Sequence, residues 1–339
     1  MAQKQLSRQG SLSDWLMPDH AALHVLDGLE SVVDWSRLER LCEGIYASKT
    51  GRPSTPIRVL LRALLLGAWY GLSDVKLETG LARDLLFRRF CGLGMNDSAP
   101  DHSTLSRFRS QLMEKGLWQG IFDEVNRQLM AQQIIITQGQ VSIIDATVVE
   151  AHQSRPHTGK DGKPTQDPDA GWHVKGAAEK KTFTYGYSIH VNCDEDGFIL
   201  KQDTTSGEVH DSQKRADLMT GNESELYADS AYASAKTDAD LQARGVKNCV
   251  QKKGYRNHPL SEENKARNRE IGFTRGRVEA IFGSYKSPQH RNCRKSRFLG
   301  LLKNATQFGL MAIMHNLQKA VRFVECYGLC TLQPQENCA

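Results

Sequence analysis

Three acidic residues stand where their neighbours make a charge expensive. Asp145 follows Val141, Ile143 and Ile144 and precedes Val148 and Val149. That β-branched run predicts a strand, and a charge inside a strand is costly unless it is paired, bound to metal or at a strand end. Asp229 closes the short apolar run Leu226-Tyr227-Ala228, just before Ser230-Ala231-Tyr232. Glu279 shares a predicted helix with Arg275, Phe282 and Lys286. At about 100° per residue, these four fall within about 60° on one helix face.

Each acid has an ordinary alternative. Asp145 can be a strand-end residue capping a turn, and Asp229 a helix N-cap. Glu279 can be one half of a surface pair with Arg275, worth a few tenths of a kcal/mol. Together the three point to phosphorus chemistry. In-line displacement needs an activated attacking oxygen and a stabilised leaving oxygen, and two divalent ions about 4 Å apart do both. Magnesium takes oxygen ligands, usually a few carboxylates completed by substrate phosphate and water. Asp145, Asp229 and Glu279 can hold two Mg2+ ions, with Mn2+ as a substitute, if the fold brings them together. Arg275 and Lys286, on the glutamate's own face, then meet substrate phosphate. Ser230 and Cys249 have no histidine-and-acid arrangement that would make either a nucleophile.

The elements that must position these residues are legible in outline. Up to about Gln133 the chain reads as helical, with segments over Ser36–Tyr46, from Ile57 to Trp69, from Asp74 toward Phe90, through Leu105, Phe108 and Leu112, and over Trp118–Gln132. Gly71, Gly92 and Gly94 punctuate them, Pro56 suits a helix start, and Asp74 and either Asp101 or Ser103 suit N-caps. Beyond Gln133 the period changes. Strands are expected over Ile134–Thr137, Val141–Val149, Thr184–Asn192, Phe198–Thr205, Glu225–Asp229 and Val246–Gln251. Asp194 to Gly197 is a hairpin turn, and His152–Thr182 a long loop. Helices are expected near Ser212–Met219, Ala233–Ala243, Glu262–Tyr285 and Phe298–Val324. Consecutive strands followed by alternating helix and strand suit a mixed sheet with helices on its faces. That order is compatible with an α/β fold, a ribonuclease-H-like mixed sheet with flanking helices, preceded by an all-α N-terminal domain. In residues, this gives a helical N-terminal domain over 1–133, an α/β domain over 134–325 and a tail over 326–339. The 50 residues from Asp229 to Glu279 hold a helix, a strand and a loop, with no room for a large inserted domain.

Composition narrows the class without deciding it. The net charge over 339 residues is only +5. From Arg244 to Lys303, however, sixteen Lys and Arg face four Asp and Glu, an excess of about twelve. Phosphate neutralisation with counterion release is the physical reason to expect nucleic acid there. Lys252, Lys253, Arg256, Arg291, Arg294, Lys295 and Arg297 are candidate backbone contacts. The helix after Pro100 carries Ser103, Thr104, Ser106, Arg107 and Arg109 around Leu105, Phe108 and Leu112, which suits groove reading by Arg107 and Arg109; helix packing is the alternative. The polar opening Met1–Gln9 is no export signal. The eight cysteines form no Cys-x-x-Cys pair, so reduced thiols in a cytoplasmic protein are expected. Zinc at Cys326, Cys330 and Cys338 lacks a matching second half. Charges interrupt both apolar stretches, so no membrane span is expected.

These motifs resemble bacterial DDE transposases of the insertion-sequence-five group over nearly the whole chain. The N-terminal resemblance runs through Gly51-Arg52-Pro53, Tyr70-Gly71-Leu72-Ser73-Asp74, Phe87-Arg88-Arg89-Phe90 and, most specifically, Pro100 to Arg109. In the second half it lies in Ile144-Asp145-Ala146-Thr147, Tyr185-Gly186-Tyr187 with His190, His210-Asp211-Ser212, and Tyr227 to Tyr232. Arg275, Glu279 and Lys286 match the group's Arg-x3-Glu-x6-Lys spacing; Gly272 stands where it often has a tyrosine. The resemblance implies a ribonuclease-H-like catalytic fold over 134–325, a helical DNA-binding and dimerisation domain over 1–133, magnesium dependence and association with the nucleoid. It also implies cleavage at the terminal inverted repeats of a mobile element, strand transfer into target DNA, and at least a homodimer on double-stranded DNA. A nuclease without strand transfer and a domesticated DNA-binding protein are the alternatives.

Overall fold

The computed structural model describes residues 20–46, 53–136, 140–153, 157–159, 166–176, 181–255, 258–288 and 291–328, with single residues 6 and 164. Met1–Gln9 except Leu6, Gly51, Arg52, Thr137, Arg256, Cys330 and Cys338 lie outside the described residues. The chain divides into two compact units, Met1–Ile135 with Gly309–Ala339, and Ile136–Phe308.

The first unit is helical among its described residues: α1 (Gly28–Val32), α2 (Trp35–Leu41), α3 (Ile57–Trp69), α4 (Asp74–Arg83), α5 (Leu85–Cys91), α6 (His102–Glu114) and α7 (Leu117–Ala131). Helix α3 is its core, buried along nearly its whole length. Arg62, the charge inside that apolar run, is only 2% exposed. Its guanidinium is paired with Glu30 and stacked 4.3 Å over the Trp35 ring, so the charge is satisfied inside the core. The helix expected from Asp74 to Phe90 is in fact two. Asp84 breaks it and caps α5, its Oδ1 accepting the Leu86 N–H at 2.9 Å. Ser73, rather than Asp74, caps α4. Asp101, rather than Ser103, caps α6. Ile134 and Ile135 form no strand; they are buried in the bend that follows α7.

The second unit is built on a six-stranded sheet: β1 (Val141–Glu150), β2 (Gly171–Lys175), β3 (Thr182–Cys193), β4 (Ile199–Ser206), β5 (Glu225–Ala228) and β6 (Lys247–Val250). β1 lies between β3, antiparallel, and β5, parallel; β6 follows β5 in parallel and β4 follows β3 antiparallel. The order β4-β3-β1-β5-β6, with β3 alone reversed, is the ribonuclease-H-like mixed sheet. Strand β2 pairs with the first half of β3 and lies within the segment expected to be a loop. Gly186 is required where β3 meets β1, because a Cβ there would sit 2.0 Å from the Val149 carbonyl oxygen.

Helices α8 (Arg215–Leu218), α9 (Ala235–Ala243) and α10 (Glu262–Lys286) flank the sheet. Ile144, Leu218, Leu226, Tyr232, Leu241, Val246 and Val250 form a buried apolar cluster behind the strand ends. A last helix, α11 (Leu301–Tyr327), begins in the second unit and ends in the first. Residues 309–325, expected with the catalytic domain, therefore pack with the helical unit. There Asn316 donates to the buried Asn126 at 2.7 Å. A continuous 27-residue helix gives no sequence mark where its packing partner changes.

Candidate active site

Asp145 and Asp229 come from neighbouring parallel strands. Ile144 on β1 lies opposite Ala228 on β5, and each aspartate is the next residue along, so both stand side by side where β5 ends, midway along β1. Gln251 takes the same step on β6, after Val250, and its N–H donates to the Ala228 carbonyl at 3.0 Å. The sheet order β1-β5-β6 thus sets Asp145, Asp229 and Gln251 in a row.

Helix α10 crosses this row. Arg275 Nη2 donates to Asp145 Oδ2 at 2.8 Å, and Nη1 donates to Gln251 Oε1 at 3.2 Å. Two residues further along β1, on the same face, Thr147 Oγ1 accepts from Lys286 Nζ at 2.5 Å. Arg275 and Lys286 therefore fasten the helix to the strand that carries Asp145. Glu279 lies between the two fastenings, one helical turn after Arg275, and is exposed.

The electrostatics follow from this geometry. Burial pushes the Asp145 carboxyl up to about 6, against the pull of the Arg275 guanidinium; the neighbouring Asp229 adds to the rise. Burial lowers the Lys286 ammonium, as low-dielectric surroundings disfavour a charge. Asp229 Oδ1 accepts the Ala231 N–H at 2.8 Å, so Asp229 does cap the short 3-10 turn Ser230–Tyr232.

The structure brings the two aspartates together but leaves the glutamate apart. Among the described residues no three His, Cys, Asp or Glu side chains are close enough to hold a metal ion. The alternative reading of Glu279 as a surface partner of Arg275 fits no better, because Arg275 engages Asp145 and Gln251 instead. Arg275 is the cation on Asp145 in this conformation. The oxygen-only donors of the aspartate pair, one of them raised by burial and by the other's charge, fit a hard divalent ion.

Two family models match the chain: a Transposase DDE domain over residues 136–317 and a Transposase domain (DUF772) over residues 11–111. The chain belongs to the DDE transposase family. It is a DNA transposase, a polynucleotidyl transferase. A solved structure of the piggyBac transposase synaptic complex with hairpin DNA is similar at 13% identity, with a TM-score of 0.42, covering 96% of this chain and 80% of that one. A likeness that remote decides nothing further.

The arginines and lysines expected at DNA divide by burial. In the transposase's helical unit, Arg107 is exposed on α6, tethered to Ser103 and Thr104 of its own helix. Arg109 is 8% exposed and its guanidinium is committed to Asp74, with Nη1 donating to Oδ2 at 2.7 Å. Its expected groove-reading role is corrected: Arg109 is buried on α6 with the stripe Leu105, Phe108 and Leu112, and its guanidinium pairs with Asp74 of α4. In the catalytic unit Lys252, Lys253 and Arg294 are exposed. Arg291 is 4% exposed, lying over the Tyr285 ring and donating to Ser284 Oγ at 3.0 Å, so it supports α10 rather than facing solvent. Gln251 and Thr147 were missed by sequence reasoning. The only signal for Gln251 was a polar residue ending the apolar strand; Thr147 stood in the Ile144-Asp145-Ala146-Thr147 motif but was given no role of its own.

Among the described residues no helix is long and apolar enough to cross a membrane. No disulfide joins the described cysteines; Cys326 is exposed, and the zinc alternative at the tail otherwise rests on residues outside the described set.

Proposed function

We propose that this transposase is an insertion-sequence enzyme of the insertion-sequence-five group, cutting at terminal inverted repeats and joining the freed ends to target DNA with divalent metal. The observation that carries the reading is the register of Asp145 beside Asp229 under a helix bearing Glu279. Asp145, Asp229 and Glu279 would hold Mg2+ or Mn2+. Bound there, the ions supply positive charge that acidifies the attacking water or 3′-hydroxyl and stabilises the leaving oxygen.

The chain's own groups do the rest. Arg275 passes from Asp145 to a phosphate of the scissile strand, and the divalent charge would replace it in keeping Asp145 ionised. Glu279, already on the Arg275 face of α10, turns toward the strand ends. Lys286, held by Thr147, supports the phosphate electrostatically. Exposed Lys252, Lys253 and Arg294 hold flanking backbone, and Arg107 takes part in end recognition. Joining two ends requires two copies of the chain on DNA.

The test is a plasmid bearing the element's ends incubated with target DNA and Mg2+. Cleavage and a joined donor–target product are expected for the wild type. Asp145→Asn should lose both while retaining DNA binding. Cleavage without any joined product would favour a nuclease.

A further inference from the structure

A fourth carboxylate stands next to the site. Asp211 opens the 3-10 turn Asp211–Lys214, which packs against the turn Ser230–Tyr232 that Asp229 caps. Behind it, on β3, is His190, wholly buried. The His190 tautomer follows from its partners. Thr205 Oγ1 donates to the Ser206 carbonyl at 3.1 Å, so toward His190 it is an acceptor, and the hydrogen of that 2.8 Å contact belongs to His190 Nε2. Nδ1 is left a bare lone pair, 3.8 Å from Asp211 Oδ1. That is too long for a hydrogen bond, and both atoms are buried without one. The hydroxyl of Tyr232, a side chain with 0% exposure, is also buried without a partner. Tyr232 lies within electrostatic reach of Asp211, Asp145 and Asp229 together.

Two buried acceptors facing one another, with an unpartnered hydroxyl beside them, suit a water molecule that donates to the acceptors and accepts from Tyr232. Water on a divalent ion is strongly polarised and donates both its hydrogens. We propose that Asp211, backed by His190 and completed by the Tyr232 hydroxyl, is a positioning residue of the active site that holds the water shell of the ion bound at Asp145 and Asp229. The inference rests on the metal reading above and deepens it. Burial holds His190 down to about 4, so at neutral pH it stays uncharged and keeps its lone pair for this network. Asp211 does not coordinate the ion; it orients what the ion carries. Partners of this kind alter metal affinity by 10- to 100-fold.

The test is Mn2+ alone, titrated into the full chain by calorimetry and by electron paramagnetic resonance, with no DNA present. Asp145→Asn should abolish binding. Asp211→Asn should weaken it by at least tenfold while leaving duplex-DNA affinity unchanged. Asp217→Asn, an exposed carboxylate on the neighbouring helix, should bind Mn2+ as the wild type does. Tyr232→Phe removes only an oxygen from an apolar cluster; it should shift Mn2+ binding in the same direction, and it decides the question if Asp211→Asn does not fold. Wild-type Mn2+ affinity in Asp211→Asn, with Asp145→Asn inactive in binding, overturns this inference and leaves the metal reading standing. Equal Mn2+ binding in Asp145→Asn and the wild type overturns both.

Discussion

Arg275 Nη2 lies 2.8 Å from Asp145 Oδ2, joining residues 130 apart in sequence with side chains only 11% and 14% exposed. Removing one partner of a buried pair leaves the other charge uncompensated, and this guanidinium also reaches Gln251. Arg275→Ala should reduce strand cleavage on the order of 100-fold, the usual scale for losing one preorganised donor at a developing charge. Arg275→Lys should not restore the rate, since an ammonium cannot span Asp145 and Gln251 as a planar fork does. Single-turnover cleavage of pre-bound DNA would check this; full activity in the lysine variant would show that point charge alone suffices.

Asp145 gives a pH dependence whose sign is fixed. Its folded carboxyl is raised from an ordinary 3.8 to about 6. The protonated form is favoured on folding, so this contribution to stability is complete below the unfolded value and is lost as pH rises through about 6. A divalent ion acts oppositely, because it binds the ionised form. Mn2+ should therefore raise the melting temperature clearly at pH 7.5 and lose most of that effect by pH 5. In Asp145→Asn the ion should have no effect at either pH. Thermal unfolding with and without Mn2+ measures both.

Arg109 and Arg107, two residues apart on α6, should separate stability from DNA binding. Arg109→Ala strands Asp74 beside a buried surface and should cost about 2–4 kcal/mol in chemical denaturation. Arg107→Ala should leave the denaturation midpoint unchanged and weaken binding to terminal-repeat DNA in a mobility-shift assay. A stable, binding-deficient Arg109→Ala would reverse these assignments.

The exposed basic residues should show themselves through salt. Each phosphate contact removed lowers the slope of log affinity against log salt concentration by about 0.9. Lys252→Ala with Lys253→Ala and Arg294→Ala should flatten the slope by two to three such steps, with little change of sequence preference. Arg291→Ala should leave the slope as it is and lower the melting temperature, because its guanidinium packs on Tyr285.

Some of this was written locally in the chain. Asp145 and Asp229 stood out because each ends or interrupts an apolar run, where a carboxylate is hard to place without a task. The face shared by Arg275, Glu279 and Lys286 followed from helical geometry alone, and Arg275 and Lys286 do both reach β1. The strands around those acids were legible because alternation and β-branching act over a few residues. Short-range pattern could not say that β3 alone is reversed, that β5 and β6 follow β1 in parallel, or that α11 leaves one unit for the other. Nor could it tell Arg107 from Arg109, since whether an arginine on an amphipathic helix meets solvent or an aspartate depends on the neighbouring helix, here Asp74 on α4. Burial, pairing and register are long-range quantities. They decided that the two aspartates stand side by side on neighbouring strands, that Arg275 holds one of them, and that Glu279 stands apart.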